Sequence, residues 1–280
     1  MTPNCIDVSS WQSGIDWQRV KKAGIKAVII RAGFGTTRDN RFESHYKGAK
    51  AAGLSVGAYW YSYAYSIAQA EQEANACIDI LRGKTFDLPV YYDMEEDGQM
   101  SLGRQVMTAM ACRFIDAVQA TGYRGGMYSS PSWFSDFIDY DLMRKKYSVW
   151  LAHWASSPAR QCDIWQYSDS GKIDGIEGNV DLNIIKNEAV LGGKSETKAK
   201  SFQETLKEIY GGIRCLKSGD NGLPVFVLQA LLLCHGYDEG GVDGIFGSGT
   251  ESAVCEFQHY HYLTVDGVAG KETFTALISV

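Results

Sequence analysis

Four carboxylates stand where chemistry is possible. Asp93 and Glu95 end the apolar run Pro89-Val90-Tyr91-Tyr92, Asp7 lies within Cys5-Ile6-Asp7-Val8, and Asp181 lies within Asn179-Val180-Asp181-Leu182-Asn183. Side chains two apart on a strand point the same way, so Asp93 and Glu95 share one face while Tyr92 and Met94 point elsewhere. A carboxylate cluster without metal-binding histidines suits cleavage of a glycosidic bond, in which one carboxyl stays protonated to act as acid on the leaving oxygen. Neighbouring anions raise the pKa of whichever carboxyl is least solvated or least hydrogen-bonded. Glu95, longer and further along the strand, is the candidate for that role. An Asp-x-Glu step after an apolar strand also arises by chance and then marks a solvated loop, which is the reading for Glu96 and Asp97. The coincidence with Asp7 and Asp181 at other strand ends is what favours chemistry.

Aromatic residues cluster in the same runs. Tyr59, Trp60, Tyr61, Tyr63 and Tyr65, with Tyr128, Trp150, Trp154 and Trp165, offer apolar faces on which sugar rings can stack. Core packing accounts for half of them, and alternation turns Tyr59 and Tyr61 one way and Trp60 the other. His45 and His153 are lone histidines without a Ser or Cys elbow, which argues against a hydrolase triad. Gly33-Phe34-Gly35 lacks the third glycine of a dinucleotide loop and reads as a turn. No metal or cofactor is expected.

The net charge of -6, with no block of Lys or Arg, excludes a nucleic-acid footprint and cationic steering. Recognition of a polymer must then rest on stacking and hydrogen bonds. The seven cysteines are odd in number and scattered without zinc spacing, so they are expected to be reduced and mostly buried. No run approaches the roughly 20 apolar residues of a membrane helix, and Met1 to Asp7 has no secretory pattern. Synthesis in a cytoplasm without a signal peptide is the expectation.

The elements that must position the carboxylates follow from periodicity. Strand-like runs at Cys5–Val8, Ala27–Ala32, Ser55–Tyr61, Pro89–Asp93, Gly126–Tyr128, Tyr147–Ala152 and Ile164–Tyr167 are separated by helical segments Asp16–Ala23, Arg41–Ala52, Ser66–Leu81 and Ser101–Thr121. Continuous apolar runs between helices predict a parallel sheet buried on both faces, and repetition of the unit favours a β/α barrel, with catalytic groups at the C-terminal strand ends. Gly24, Gly53 and Gly122 are placed as left-handed helix caps. The periodicity stops near Leu191, and Gly192-Gly193-Lys194-Ser195 reads as linker, giving a catalytic domain over 1–190, a linker over 191–210 and a second domain over 211–280. There, Val242-Asp243-Gly244-Ile245-Phe246-Gly247-Ser248-Gly249-Thr250 is echoed by Val265-Asp266-Gly267-Val268-Ala269-Gly270-Lys271-Glu272-Thr273. Each copy leads into a helix, Glu251–Tyr260 and Phe274–Ile278. With Leu223–Leu233 these predict a small all-α three-helix module whose Asp-Gly turns lack the ligands of a calcium loop.

Residues 4 to about 186 resemble the family 25 glycoside hydrolases. The resemblance runs through Ile6-Asp7-Val8-Ser9-Ser10-Trp11-Gln12, Ala27-Val28-Ile29-Ile30-Arg31-Ala32-Gly33, Gly57-Ala58-Tyr59-Trp60-Tyr61-Ser62, Pro89-Val90-Tyr91-Tyr92-Asp93-Met94-Glu95, Leu151-Ala152-His153-Trp154, Ile164-Trp165-Gln166-Tyr167-Ser168 and Val180-Asp181-Leu182-Asn183. It implies an irregular α/β barrel that cleaves the β-1,4 bond between N-acetylmuramic acid and N-acetylglucosamine of bacterial peptidoglycan. It places the general acid on Glu95, a partner carboxylate on Asp93 and further acids on Asp7 and Asp181. Substrate contacts are expected from Tyr59, Tyr61, Tyr128, Trp154 and Gln166. Asp93 either orients the substrate's acetamido group as nucleophile, the favoured route, or a carboxylate attacks directly. Residues 213 to 278 resemble a three-helix peptidoglycan-binding module through Leu216-Lys217-Ser218-Gly219-Asp220, Val227-Leu228-Gln229 and Phe257-Gln258. With three Lys or Arg against eight Asp or Glu, that stretch excludes binding by bulk charge. A phage endolysin acting on the wall after release from the host cytoplasm fits these features. A chitinase-like enzyme and a non-catalytic glycan-binding protein are the competing expectations.

Overall fold

The structure, a computed structural model, describes residues 1–192, 215–237 and 241–278. The chain divides into two compact units, with the division between Lys200 and Ser201. The linker expected over 191–210 lies outside the described residues beyond Gly192.

The N-terminal unit is an eight-stranded barrel. Its strands are β1 (Cys5–Val8), β2 (Ala27–Phe34), β4 (Ser55–Tyr61), β5 (Val90–Asp93), β6 (Gly125–Ser129), β7 (Ser148–Ala152), β8 (Ile164–Gly171) and β9 (Val180–Ile185), and the two-residue β3 (Thr37–Arg38) pairs on the edge of β2. The sheet runs β1-β9-β8-β7-β6-β5-β4-β2 and closes through β1–β2. All neighbouring pairs are parallel except those of β9, which is antiparallel to both β8 and β1. This corrects the all-parallel expectation. The connection 172–179 is too short for a crossover, so the chain turns back on itself as a hairpin.

Outside the barrel lie α1 (Trp17–Lys22), α2 (Phe42–Ala51), α3 (Ile67–Leu81), α4 (Arg104–Ala120), α5 (Pro131–Asp136) and α6 (Tyr140–Lys146). Asp16 and Ser66 cap α1 and α3 by accepting from the first-turn amides of Gln18, Arg19 and Gln69. Gly24, Gly53 and Gly122 have positive φ past their helices, as expected. The helix expected over Ser101–Thr121 instead begins at Arg104. A 3-10 turn over Asp97–Leu102 precedes it, and Gly103, at φ 78°, separates the two. The helices α5 and α6 are too short to show a periodic stripe and were not apparent from sequence.

Alternation along the strands makes two cores. On β2, Val28 and Ile30 join the layer under the helices, while Ala27 and Ile29 face the barrel interior. The interior is filled by aromatics: Tyr59, Tyr91 and Tyr128 meet Trp150 at 5.9, 5.4 and 4.3 Å between ring centroids. Trp60, Trp150 and Trp165 are therefore core residues, not stacking platforms. Among the described residues no helix is long and apolar enough to cross a membrane. Cys5, Cys77 and Cys162 are buried, but Cys215 and Cys234 are exposed, against expectation.

The C-terminal unit packs α7 (Leu223–Cys234), α8 (Ser248–Tyr260) and α9 (Lys271–Ile278) around Leu228, Leu232, Phe246, Phe257 and Phe274. The sequence echo has a physical basis. The Gln229 amide accepts from Gly244 N (2.7 Å) and donates to Asp243 Oδ1 and Thr250 Oγ1, both at 2.9 Å. Gln258 does the same to Gly267, Asp266 and Thr273 at 3.0, 2.9 and 3.1 Å. Each copy is thus an Asp-Gly turn locked by a glutamine of the preceding helix.

A Cβ at Gly126 would overlap the Tyr91 ring inside the barrel and meet the Ser148 carbonyl oxygen at 2.9 Å. Gly126→Ala is expected to lower unfolding free energy by about 1–3 kcal/mol through overpacking, read as a shift in the urea midpoint. An unchanged midpoint would show that the interior has room to spare.

Candidate active site

A cleft of about 340 Å³ opens at the C-terminal ends of the parallel strands, and all four carboxylates line it. Asp7 and Asp181 are direct cross-strand partners because β9 runs antiparallel to β1, which brings the start of β9 to the barrel mouth. Asp93 ends β5, and Glu95 follows two residues on, facing the same cleft. Tyr92 and Met94 point into the layer under the helices, as alternation requires. Ser129 Oγ donates to the Met94 carbonyl at 2.8 Å and pins the turn between the two acids.

Asp7 is the best-held carboxylate. Its Oδ2 accepts from Asn183 Nδ2 at 2.7 Å and Gln166 Nε2 at 3.0 Å. Both amides are oriented from behind: Trp150 Nε1 donates to Asn183 Oδ1 at 2.8 Å, and Tyr128 OH donates to Gln166 Oε1 at 3.0 Å. An indole nitrogen can only donate, so Asn183 must turn its NH₂ toward Asp7. Burial raises the Asp7 pKa, and hydrogen bonds from Asn183, Gln166 and Asp181 pull it back. Asp181 is pushed up to about 9 by burial, with the charge and hydrogen bond of Asp7 adding to it. The pair therefore shares one proton, carried on Asp181 and directed at the Asp7 anion.

The other two acids lack such donors. Burial pushes Asp93 well above the carboxylate range; the charges of Glu95 and Asp7 add, and Arg31 opposes. Its buried Oδ1 has no hydrogen-bond partner. Burial, joined by the charge of Asp7, pushes Glu95 up to about 7. A carboxyl poised there can give a proton and take it back near neutral pH.

Of the expected substrate contacts, Tyr59, Tyr61, Tyr128 and Gln166 line the cleft. Gln166 is bonded at both ends of its amide and buried, so it holds Asp7. Trp154 is 62% exposed in the loop after β7 and is not among the lining residues. Trp11, 83% exposed, is at the cleft instead, carried there by the chain leaving β1. Its position four residues past Asp7 was a usable signal. Asn183 and Arg31 are site residues that sequence reasoning missed, and Trp150, expected as a stacking face, instead acts through its indole N–H on Asn183. Arg31 lines the cleft with its guanidinium tied to buried Asp39 and to Ser10 Oγ, both at 2.8 Å. Behind the cleft, buried Glu73 accepts from Tyr63 N and Tyr92 OH, both at 2.7 Å, and Gln99 donates to Ser62 Oγ at 3.0 Å and the Ala64 carbonyl at 2.8 Å. The loops after β4 and β5 are thereby tied together. No group of His, Cys, Asp or Glu among the described residues could hold a metal ion.

Carboxylates of graded proton affinity at the mouth of an irregular β/α barrel define a glycoside hydrolase. The chain belongs to the glycosyl hydrolases family 25, whose model matches residues 6–176, and the C-terminal unit matches the peptidoglycan binding domain family over residues 221–277. It is 28% identical to the autolytic lysozyme of Clostridium acetobutylicum over 96% of this chain and 76% of that one. It is similar to the catalytic domain of endolysin ply40 from bacteriophage P40 of Listeria monocytogenes (26% identity, TM-score 0.58), covering 68% of this chain and 96% of that one. It shares the fold of the modular autolysin LytC from Streptococcus pneumoniae (23% identity, TM-score 0.59) over 65% of this chain, and spans 46% of that longer chain. The protein is an N-acetylmuramidase acting on peptidoglycan, with a peptidoglycan-binding module. The chitinase-like and non-catalytic readings fall away.

Glu95 titrates near its ordinary 4.5 when unfolded and near 7 when folded, so folding takes up a proton between those values. Its contribution is favourable below the lower value and is lost as pH rises through the upper one. Glu95→Gln should therefore leave stability nearly unchanged at pH 4 and raise it by about 1–3 kcal/mol at pH 8. Equal changes at both pH values in urea unfolding would contradict the raised pKa.

Proposed function

We propose that Glu95 is the general acid and then the general base of this muramidase, with Asp93 assisting the substrate's own acetamido group. The observation that carries the reading is the contrast between Asp93, buried without a donor, and Asp7, held by two oriented amides. Glu95 protonates the glycosidic oxygen as the bond to C1 breaks. The acetamido N–H supplies the donor that Asp93 Oδ1 lacks, which favours the charged form of Asp93 as C1 becomes positive. The acetamido carbonyl oxygen then bonds to C1, and water, deprotonated by Glu95, opens that ring with retained configuration. The Asp7–Asp181 pair supplies fixed negative charge beneath the reacting carbon. Tyr59, Tyr61 and Tyr128 present the cleft wall to the sugar, and Trp11 lies at its rim.

We also infer that the enzyme works as a phage endolysin, made in the host cytoplasm and released to the wall. The likeness to endolysin ply40 supports this setting, and the likeness to an autolytic lysozyme supports a bacterial one. Expression inside a susceptible host separates them: an endolysin leaves the cells intact until the membrane is permeabilised, whereas lysis without permeabilisation removes this reading.

Glu95→Gln is expected to cut wall lysis by about 100- to 10,000-fold with the fold retained. Asp93→Asn should lower kcat with little change in KM, because its charge is needed only as C1 becomes positive. Near-normal lysis by folded Glu95→Gln, or a pure KM effect for Asp93→Asn, would reverse these assignments.

A further inference from the structure

Among the described residues one non-glycine has a positive φ, Tyr262 at 55°. It ends α8 in a pattern that α7 also uses. At the end of α7, Tyr237 N donates to the Leu232 carbonyl at 3.0 Å across Gly236, whose φ is 85°. At the end of α8, Leu263 N donates to the Gln258 carbonyl at 2.9 Å across Tyr262. This left-handed position favours glycine, because a Cβ there crowds the following carbonyl. The second helix thus accepts strain that the first avoids. Packing gives no return for it, since Tyr262 is 97% exposed. Strain kept without a packing gain is a mark of a functional position.

The surroundings fit that reading. Tyr260 is 63% exposed, with its ring 6.3 Å from Tyr237 and 5.7 Å from exposed His259. His261 stacks on buried Phe257 at 4.1 Å and anchors the helix end from below. Tyrosine and histidine rings combine an apolar face with a polar edge, which matches a sugar ring carrying hydroxyl and acetamido groups. Over residues 213–278 eight acidic side chains stand against three basic ones, a balance that repels an anionic polymer or a carboxylate-bearing peptide and leaves a neutral ring unaffected.

We propose that this end of α8, with Tyr237, His259, Tyr260 and Tyr262, is the surface by which the module holds the glycan strand of peptidoglycan, through stacking on its N-acetyl sugar rings. The proposal rests on the reading of this unit as a peptidoglycan-binding module. The test is retention of the full chain on purified walls, in a Glu95→Gln background so that the walls survive. Tyr262→Gly and Tyr260→Ala should each weaken retention by roughly two- to tenfold. Tyr262→Gly should also melt at the same or a higher temperature than its parent, because it relieves the strain, so its loss of binding is not loss of fold. Neutral N-acetylglucosamine oligomers should displace the parent chain, and free stem peptides or anionic wall polymer should not. If Tyr262→Gly is retained like its parent, or if stem peptides displace the chain and neutral N-acetylglucosamine oligomers do not, the surface is misassigned while the module's targeting role stands. If the parent itself is not retained by walls, the targeting role fails and the proposal with it.

Discussion

Asp7 is buried at the mouth of an apolar barrel, where an unsupported anion would cost several kcal/mol. The arrangement around it offsets that cost with donors fixed before any substrate arrives. Trp150 and Tyr128 are part of the aromatic interior, and the same packing aims their polar edges at Asn183 and Gln166. Core and site are therefore one construction: the aromatic fill that closes the barrel also selects which carboxylate is ionised. With Asp7 settled as the anion, Asp181 is its proton-carrying partner, and the charge of Asp7 helps keep Glu95 protonated to near neutral pH.

The antiparallel β9 is what makes this possible. In a parallel barrel the start of each strand lies at the face opposite the catalytic mouth, so Asp181, second in its strand, would be remote from the other acids. Reversal of the last strand brings Asp181 level with Asp7 and, two residues on, aligns Asn183 with Cys5 and Gln166. Asp181 and Asn183 lie on one face of β9, one carrying the proton and the other donating to the anion.

What could be read from the sequence was what short-range periodicity encodes. Asp93 and Glu95 share a face because strands alternate every residue, and Asp16, Ser66, Gly24 and Gly53 mark helix ends through local chemistry. Asp7, Asp93 and Glu95 could be gathered because strand ends in a barrel converge; Asp181, expected at a strand end, is instead the second residue of an antiparallel strand that periodicity did not predict, and reaches the mouth for that reason. The supports of Asp7 could not be gathered, since Asn183 and Trp150 act through contacts across 176 and 33 residues of chain, and nothing local distinguishes a donor aimed at a carboxylate from a polar residue at a surface. Gln166 was noticed but given a substrate contact, because its buried bonds on both sides depend on tertiary partners. Trp154 is expected at the substrate and Trp11 is not, and the two differ in where their loops leave the barrel, which periodicity does not record.

The cleft and the C-terminal module both carry more acidic than basic side chains. The residues lining the cleft include a single cation, Arg31, whose charge is largely matched by buried Asp39. The module is strongly acidic. Neither surface can draw in a polyanion, so any selectivity between the wall's neutral glycan and its charged polymers must come from exclusion as well as attraction. Such recognition has to be short-ranged, built from stacking and directed hydrogen bonds, and it should depend only weakly on ionic strength. The catalytic cluster fits the same logic: its carboxylates are kept mostly neutral by burial, and negative charge is concentrated where a sugar becomes positive in the transition state.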